Sequence, residues 1–199
     1  MLNLLIPMKM PADLEAEVQQ LFAKMDAAYG NTAVMTGFVC NGCEDNCCQT
    51  RFYHHTLLEL IYLRSALTAL PPALRNRIEK HAEAVCRQMA VLQRHGELVR
   101  VMCPLNEQGL CILYAHRPMI CRLHGIPHGL YRPDGRILAG PGCDAYYVQC
   151  GHSNDAHLDR TPLYTAMADL ERRLRGRLGF DRKIKLTVAE MIIEESVQR

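Results

Sequence analysis

Cys40, Cys43, Cys47 and Cys48 put four sulfurs into the nine residues Cys-Asn-Gly-Cys-Glu-Asp-Asn-Cys-Cys. A stretch with a glycine inside and almost no apolar side chains does not build a core. Its chemistry is that of thiolates, soft ligands that select zinc and iron–sulfur clusters. The Cys-x2-Cys pair closes a chelate ring that sets two thiolates on one zinc, at about 2.3 Å each, or on one cluster. Cys47 and Cys48 change the reading, because adjacent residues point their side chains in different directions in a helix or a strand. Two neighbouring metal centres, or a polynuclear cluster with separate corners, use such a pair with less strain than one mononuclear ion. The spacing Cys-x2-Cys-x3-Cys-Cys also differs from the Cys-x3-Cys-x2-Cys of a radical-SAM cluster, which sets that chemistry aside.

A second set of sulfurs follows in Cys103-Pro104, Gly109-Leu110-Cys111 and Arg117-Pro118-Met119-Ile120-Cys121-Arg122, with Tyr114 between them and Cys143 and Cys150 later. Cys121 is expected in the first turn of a short helix begun by Pro118, where free amides and the helix dipole stabilise a thiolate. Several thiolates on one or two metals leave net negative charge. Arg117 and Arg122 are therefore candidates to stand behind the sulfurs, donating hydrogen bonds and offsetting charge, and Arg51 reads equally well as an ordinary surface residue. Cys86 falls within a helical apolar stripe beside Val85 and Met89 and reads as core packing.

Taken together, Cys-x2-Cys-x3-Cys-Cys, Cys-Pro, Gly-x-Cys, Tyr, Arg-Pro-x-x-Cys-Arg and a later Cys resemble the YkgJ-like cysteine-cluster family, a zinc- or iron-chelating domain often described as iron–sulfur-cluster-containing. The resemblance runs from about Cys40 to Cys143. It implies that Cys40, Cys43, Cys47, Cys48, Cys103, Cys111, Cys121 and Cys143 are the ligands, with Cys150 an additional sulfur. It implies an iron–sulfur cluster or iron, with zinc as the alternative, and supplies no settled reaction. The expected function is a cysteine-ligated metal-binding protein in a redox or metal-delivery role. The alternative is a metal-dependent protein-modifying or group-transfer enzyme, since the flagellin lysine methylases, which carry a related cysteine cluster, look like distant relatives. No glycine-rich nucleotide loop follows a strand here, so that activity does not transfer directly.

Other side chains offer weaker chemistry. Of nine histidines, His124 in Cys121-Arg122-Leu123-His124-Gly125 is the best placed to join the sulfurs, followed by His128 and His152. His54-His55 precedes a helix cap and is expected to face solvent. Arg172, Arg173, Arg175, Arg177, Arg182, Lys183 and Lys185 form a basic stretch, but with only Phe180 nearby it lacks the interleaved aromatics of a nucleic-acid surface. It reads as a solvated helix face. The methionines crowding the N-terminal part have no repeated spacing and do not argue for copper. No catalytic serine triad or phosphate loop stands out.

The chain has 199 residues, a net charge of +2 and 49% hydrophobic residues, a composition that points to an ordinary globular protein rather than a nucleic-acid or membrane binder. No targeting segment or membrane-length apolar run is visible, so a cytoplasmic protein is expected. In that reducing compartment ten cysteines are better read as ligands than as a disulfide framework. The partners expected are metal ions, with room for a protein partner.

The elements that must position these residues are largely helical. Periodicity predicts helices over Pro11–Tyr29, stopped by Gly30, over Thr56–Leu70 behind the capping box Thr56-Leu57-Leu58-Glu59, and over Pro72–His95, stopped by Gly96. Asn31–Val39 shows no period. Leu98–Cys103 and Leu110–Tyr114 read as short strands, and Leu130–Leu138 as a hairpin turning at Pro133-Asp134-Gly135. Thr161-Pro162 opens a further helix, and the capping box Thr187-Val188-Ala189-Glu190 a last short one. The expectation is an α+β, mainly α, fold: a helical shell around a small irregular cysteine-rich metal centre with short β-hairpins. We expect one metal-binding domain over 1–199, with its metal core at 37–150, a helical insert at 56–96 and C-terminal helices at 161–198.

Overall fold

Helix α1 (Ala12–Thr36) buries Leu14, Val18, Leu21, Phe22 and Met25, the stripe at steps of three and four that the sequence carries. In this computed structural model, which describes residues 10–40, 47–152 and 157–193, the helix does not stop at Gly30. It continues for six residues, and the Thr32 and Thr36 hydroxyls bond back to the carbonyls of Ala28 and Thr32. The stop is Gly37, at φ +73°, where the Gly37 and Phe38 amides donate to the carbonyls of Val34 and Ala33. A glycine is tolerated in mid-helix, but left-handed backbone after a last turn nearly demands one.

Helix α2 (Leu57–Thr68) is capped by Thr56, whose hydroxyl accepts from the Glu59 amide at 3.2 Å and donates to the Glu59 carboxylate at 2.6 Å. Nearly every residue of α2 is buried, Glu59 and Arg64 included, which makes it an interior helix rather than an amphipathic one. Helix α3 (Pro72–Arg94) starts on its proline and ends at Gly96, φ +70°. The region then departs from expectation. Leu98–Cys103 forms no strand; its pairing is limited to a single bridge between Arg100 and Thr50 and to the Cys103 amide donating to the Cys48 carbonyl. Among the described residues, no second extended segment runs alongside to complete a ladder. The strands are instead β1 (Asn106–Glu107) and β2 (Leu110–Cys111), a minimal hairpin turning at Gln108-Gly109.

A five-residue helix α4 (Met119–Leu123) follows Pro118 as expected. Strands β3 (His128–Tyr131) and β4 (Ile137–Gly140) make the anticipated hairpin, and β5 (Leu158–Asp159) adds itself parallel to β3. Between them lies helix α5 (Asp144–Cys150), which the sequence reading did not foresee. Helix α6 (Thr161–Leu178) buries Leu163, Met167, Leu170 and Leu174, and the Asp159 carboxylate accepts from the Thr161 amide at its start. Helix α7 (Val188–Ile193) begins with the expected box: Thr187 Oγ1 accepts from the Glu190 amide, and the Glu190 carboxylate accepts from both the amide and the hydroxyl of Thr187. The class is α+β, mainly α, as expected.

The contacts group these elements into two compact units, each drawn from separated stretches. One unit contains Cys48–Pro118 and, among described residues, 10–12 and 174–193. Its core is α2, with α7 packed on both α2 and α3 through Ala189, Met191 and Ile192. His54 belongs to this core. It does not face solvent: it is 3% exposed and trades backbone hydrogen bonds with Leu186 at 2.7 and 3.0 Å. The other unit contains 13–40, Cys47, 119–152 and 157–173 among described residues. There the first part of α6 is tied to α1 by a two-pronged ion pair, Arg173 to Glu17.

Among the described residues, no helix is long and apolar enough to cross a membrane.

Candidate metal centre

The candidate sulfurs divide between the two units. Cys48, Cys103 and Cys111 belong to the first; Cys40, Cys47, Cys121, Cys143 and Cys150 belong to the second. Cys43 lies outside the described residues. The division passes between the adjacent Cys47 and Cys48.

In the first unit, backbone hydrogen bonds link the segments that carry Cys48, Cys103 and Cys111. Cys48 lies in a 3-10 turn, Cys47–Gln49, and its carbonyl accepts from the Cys103 amide at 2.8 Å. The Cys103 carbonyl in turn accepts from Asn106, which is paired across the β1–β2 hairpin with Cys111. The consequence is electrostatic. Desolvation pushes the Cys103 thiol up to about 12, charge on Cys111 or Cys48 adds to the rise, and the hydrogen bond from the Leu105 amide opposes it. The Cys103 sulfur therefore senses the other two and keeps its proton at neutral pH. Arg117 nearby in sequence stacks at 3.5 Å on the Tyr114 ring and donates Nε–H to the Tyr114 carbonyl. Cys86 on α3 fits its packing role, half-buried, with its thiol pushed up to about 11 by desolvation first and by Glu190 on α7 second.

In the second unit, Cys121 is the middle residue of α4 and Cys143 is the residue that caps the start of α5. The Cys143 amide donates to the Gly125 carbonyl at 3.0 Å, which holds the segment after Cys121 against the start of α5. Gly125 is required there. Its φ is +109°, and a Cβ would lie 3.3 Å from the Tyr29 hydroxyl and 3.7 Å from the Cys143 sulfur. Cys150 closes α5, so it is helical rather than a loop residue as its surroundings in sequence imply. The side chain of its neighbour Gln149 makes two hydrogen bonds with the backbone of Val39, at 2.9 and 3.1 Å, next to the exposed Cys40.

Two buried arginines lie in this unit. Arg122 is 2% exposed, but its guanidinium pairs with Asp26 at 2.5 Å and stacks over Phe22 at 4.3 Å, so its charge is offset by α1. Sequence reasoning missed Arg160. It is 2% exposed, donates one Nη–H to the Leu123 carbonyl, two residues after Cys121, and leaves Nε without a partner. Its other neighbours are the phenols of Tyr164 and Tyr29, and no carboxylate pairs with it among the described residues. Nothing in the local pattern, an arginine before Thr161-Pro162, signals this burial.

His128 on β3 packs its ring so closely on Gly140 of β4 that a Cβ there would come within 2.3 Å, and its Nδ1 is buried without a partner. Desolvation first, then the Arg160 charge, pulls its pKa down, which keeps the ring neutral. His124 acts on it as a further like charge. His152 is stacked on Tyr147 at 4.4 Å.

In donor type, the thiols and imidazole among the described residues suit a thiophilic metal. Among the described residues, however, no three His, Cys, Asp or Glu side chains lie close enough to form a ready-made metal site. The basic stretch meets neighbours of its own: Arg172 pairs with Asp169, Arg173 with Glu17, and Arg175 and Arg182 flank the Phe180 ring. No protein-family model, curated protein or solved structure matches the chain.

Proposed function

We propose that this chain is a cysteine-ligated metal-binding protein suited to a redox or metal-delivery role. Its metal is iron, as an iron–sulfur cluster or adjacent ions, with zinc as the alternative. The observation that carries the reading is the backbone link between Cys48 and Cys103 in the first unit, with the charge of Cys111 and Cys48 acting on Cys103. Cys111 follows in the hairpin whose first strand begins at Asn106, the residue bonded to the Cys103 carbonyl. Thiols whose charges act on one another cost little while protonated, and as thiolates they favour a cation that binds them. The adjacency of Cys47 and Cys48 in one 3-10 turn is what favours more than one centre, because adjacent side chains take different directions. Cys40, Cys43, Cys121, Cys143 and Cys150 supply the remaining sulfurs, and the neutral ring of His128 is a nitrogen donor of the right kind.

The test is metal and sulfide analysis, with visible spectra, of protein purified without oxygen, beside a Cys48→Ser/Cys103→Ser variant. Iron with acid-labile sulfide and a charge-transfer band in the wild type, reduced in the variant, supports the iron reading. Stoichiometric zinc in a colourless protein selects the alternative. A variant that loads metal as fully as the wild type refutes the site.

A further inference from the structure

Strand β4 stands at the open edge of the three-stranded sheet, whose order is β4-β3-β5. The hydrogen-bond phase of the hairpin fixes which of its backbone groups point outward. The Arg132 amide donates to the Arg136 carbonyl, and the register then makes Leu130 with Leu138 and His128 with Gly140 the bonded pairs. The Gly129 carbonyl and the Tyr131 amide agree, since they turn the other way, to the Arg160 amide and the Thr161 hydroxyl. Ile137 and Ala139 therefore direct their amides and carbonyls away from β3, and among the described residues nothing pairs with them.

Free strand edges pair with other strands, so they are normally guarded by a lysine, a proline or a bulge. Strand β4 reads Ile-Leu-Ala-Gly with an unbroken register, has no such guard within it, and exposes Ile137, Leu138 and Ala139. The charge next to it, Arg136, is spent on Asp134 at 2.9 Å. We propose that this edge pairs antiparallel with the same edge of a second copy of this chain. The spacing suits a two-fold axis at Leu138: Ile137 exchanges hydrogen bonds with Ala139 of the copy, and Ala139 with its Ile137. Leu138 then meets Leu138 of the copy as a non-hydrogen-bonded pair, the kind in which side chains come closest. Leu130, opposite Leu138 in the hairpin, extends that row on the same face of each sheet. Charge selects the antiparallel arrangement. The turn of each hairpin carries Arg132, Asp134 and Arg136, a net positive charge. Antiparallel pairing sends the two turns to opposite ends, whereas a parallel pair would set them side by side. The contact consumes the edge on both copies and so closes at two. A strand of 4 residues is short beside the roughly 20–30 residues a side of a stable interface, so the dimer is weak, with Kd about 0.1 mM. Pairing of this kind needs no bound metal.

Sedimentation equilibrium in reducing buffer, from about 10 µM to about 1 mM, is expected to show monomers passing to dimers and no larger species. Amide hydrogen exchange locates the contact. Exchange at Ile137 and Ala139 should slow about threefold or more across that range, while Leu138, bonded within the hairpin, is protected throughout. Ala139→Pro removes an outward amide that the hairpin does not use, and Leu138→Lys sets like charges against each other at the axis. Each should keep the far-UV circular dichroism of wild type and weaken dimerisation by about tenfold or more. Should Ala139→Pro fail to fold, Leu138→Lys still decides. Leu98→Lys, also at an exposed leucine but in the other unit, should leave dimerisation unchanged. A wild type that stays monomeric over the whole range overturns the proposal. So does one whose Ile137 and Ala139 amides are protected only by an added extended valine–threonine peptide, which assigns the edge to another protein. Dimers that both variants leave intact, or growth beyond dimers, overturn it as well.

Discussion

Replacing Gly125 by alanine tests whether the loop after Cys121 is held in the strained geometry that brings it to Cys143. At φ +109° an L-residue is outside its allowed regions, which costs about 1–3 kcal/mol. The added methyl also meets the Tyr29 hydroxyl at 3.3 Å, tight enough to displace it by a few tenths of an ångström, while the Cys143 sulfur at 3.7 Å is in ordinary contact. The expected loss is thus about 2 kcal/mol, or roughly 4–8 °C in Tm for a chain of this size. Gly30→Ala provides the control in the same unit. Gly30 lies within α1 with nothing within 4 Å of the new methyl, so alanine there should stabilise by about 0.5–1 kcal/mol. Urea unfolding followed by far-UV circular dichroism, with all proteins in the same metal state, reads both. The reasoning fails if Gly125→Ala stays within about 0.5 kcal/mol of wild type, or if Gly30→Ala is the more damaging change.

His54 makes stability depend on pH. Burial, then the neighbouring His55, lowers its pKa from 6.5 to about 4, and the Glu59 carboxylate at 4.0 Å is too distant for a hydrogen bond and already accepts from Thr56. The unfolded chain therefore takes up a proton near pH 6.5 that the folded chain refuses until about pH 4, so this contribution is constant above pH 7 and is lost as pH falls through that window. Wild type should lose about 2.5 kcal/mol more than His54→Gln between pH 7.5 and pH 4.5, measured by denaturant titration; equal losses would remove His54 as the cause. Thr187→Ala should cost about 1 kcal/mol by breaking the capping box with Glu190, whereas Thr165→Ala, whose exposed hydroxyl bonds only back along α6, should change stability by less than about 0.5 kcal/mol.

The helices were legible because their cues are local. Thr56 with Glu59, Pro72 with Gly96, and Thr187 with Glu190 each mark a boundary within a few residues, and the structure uses all three. Gly30 misled because a glycine is only a weak stop, while Gly37 has left-handed backbone that sequence alone does not reveal. Leu98–Cys103 looked extended because of its apolar content, but a strand needs a partner, and its partner here is little more than the turn at Cys48–Thr50. At the candidate site, the cysteine types and spacings were readable, and so was Cys121 on a short helix after Pro118. Their grouping was not: the association of Cys48 with Cys103 depends on a long-range backbone hydrogen bond, and the burial of Arg160 and His54 depends on segments more than thirty residues away in the chain. The pairing of Arg122 with Asp26 was equally out of reach, because it joins residues far apart in the chain.

The docking of α7 on α2 and α3 also sets a schedule for synthesis. Those helices leave the ribosome about a hundred residues before α7 does, at some 5–20 residues per second, so their shared apolar face stays open for several seconds of translation. Cys48, Cys103 and Cys111 have all been made by then, in a unit whose core is not yet closed. A nascent chain in this condition is open to oxidation, to premature capture of metal and to chaperones that bind apolar helices. Closure of that core then waits on the arrival of residues 188–193, while thiols made long before them are already reactive.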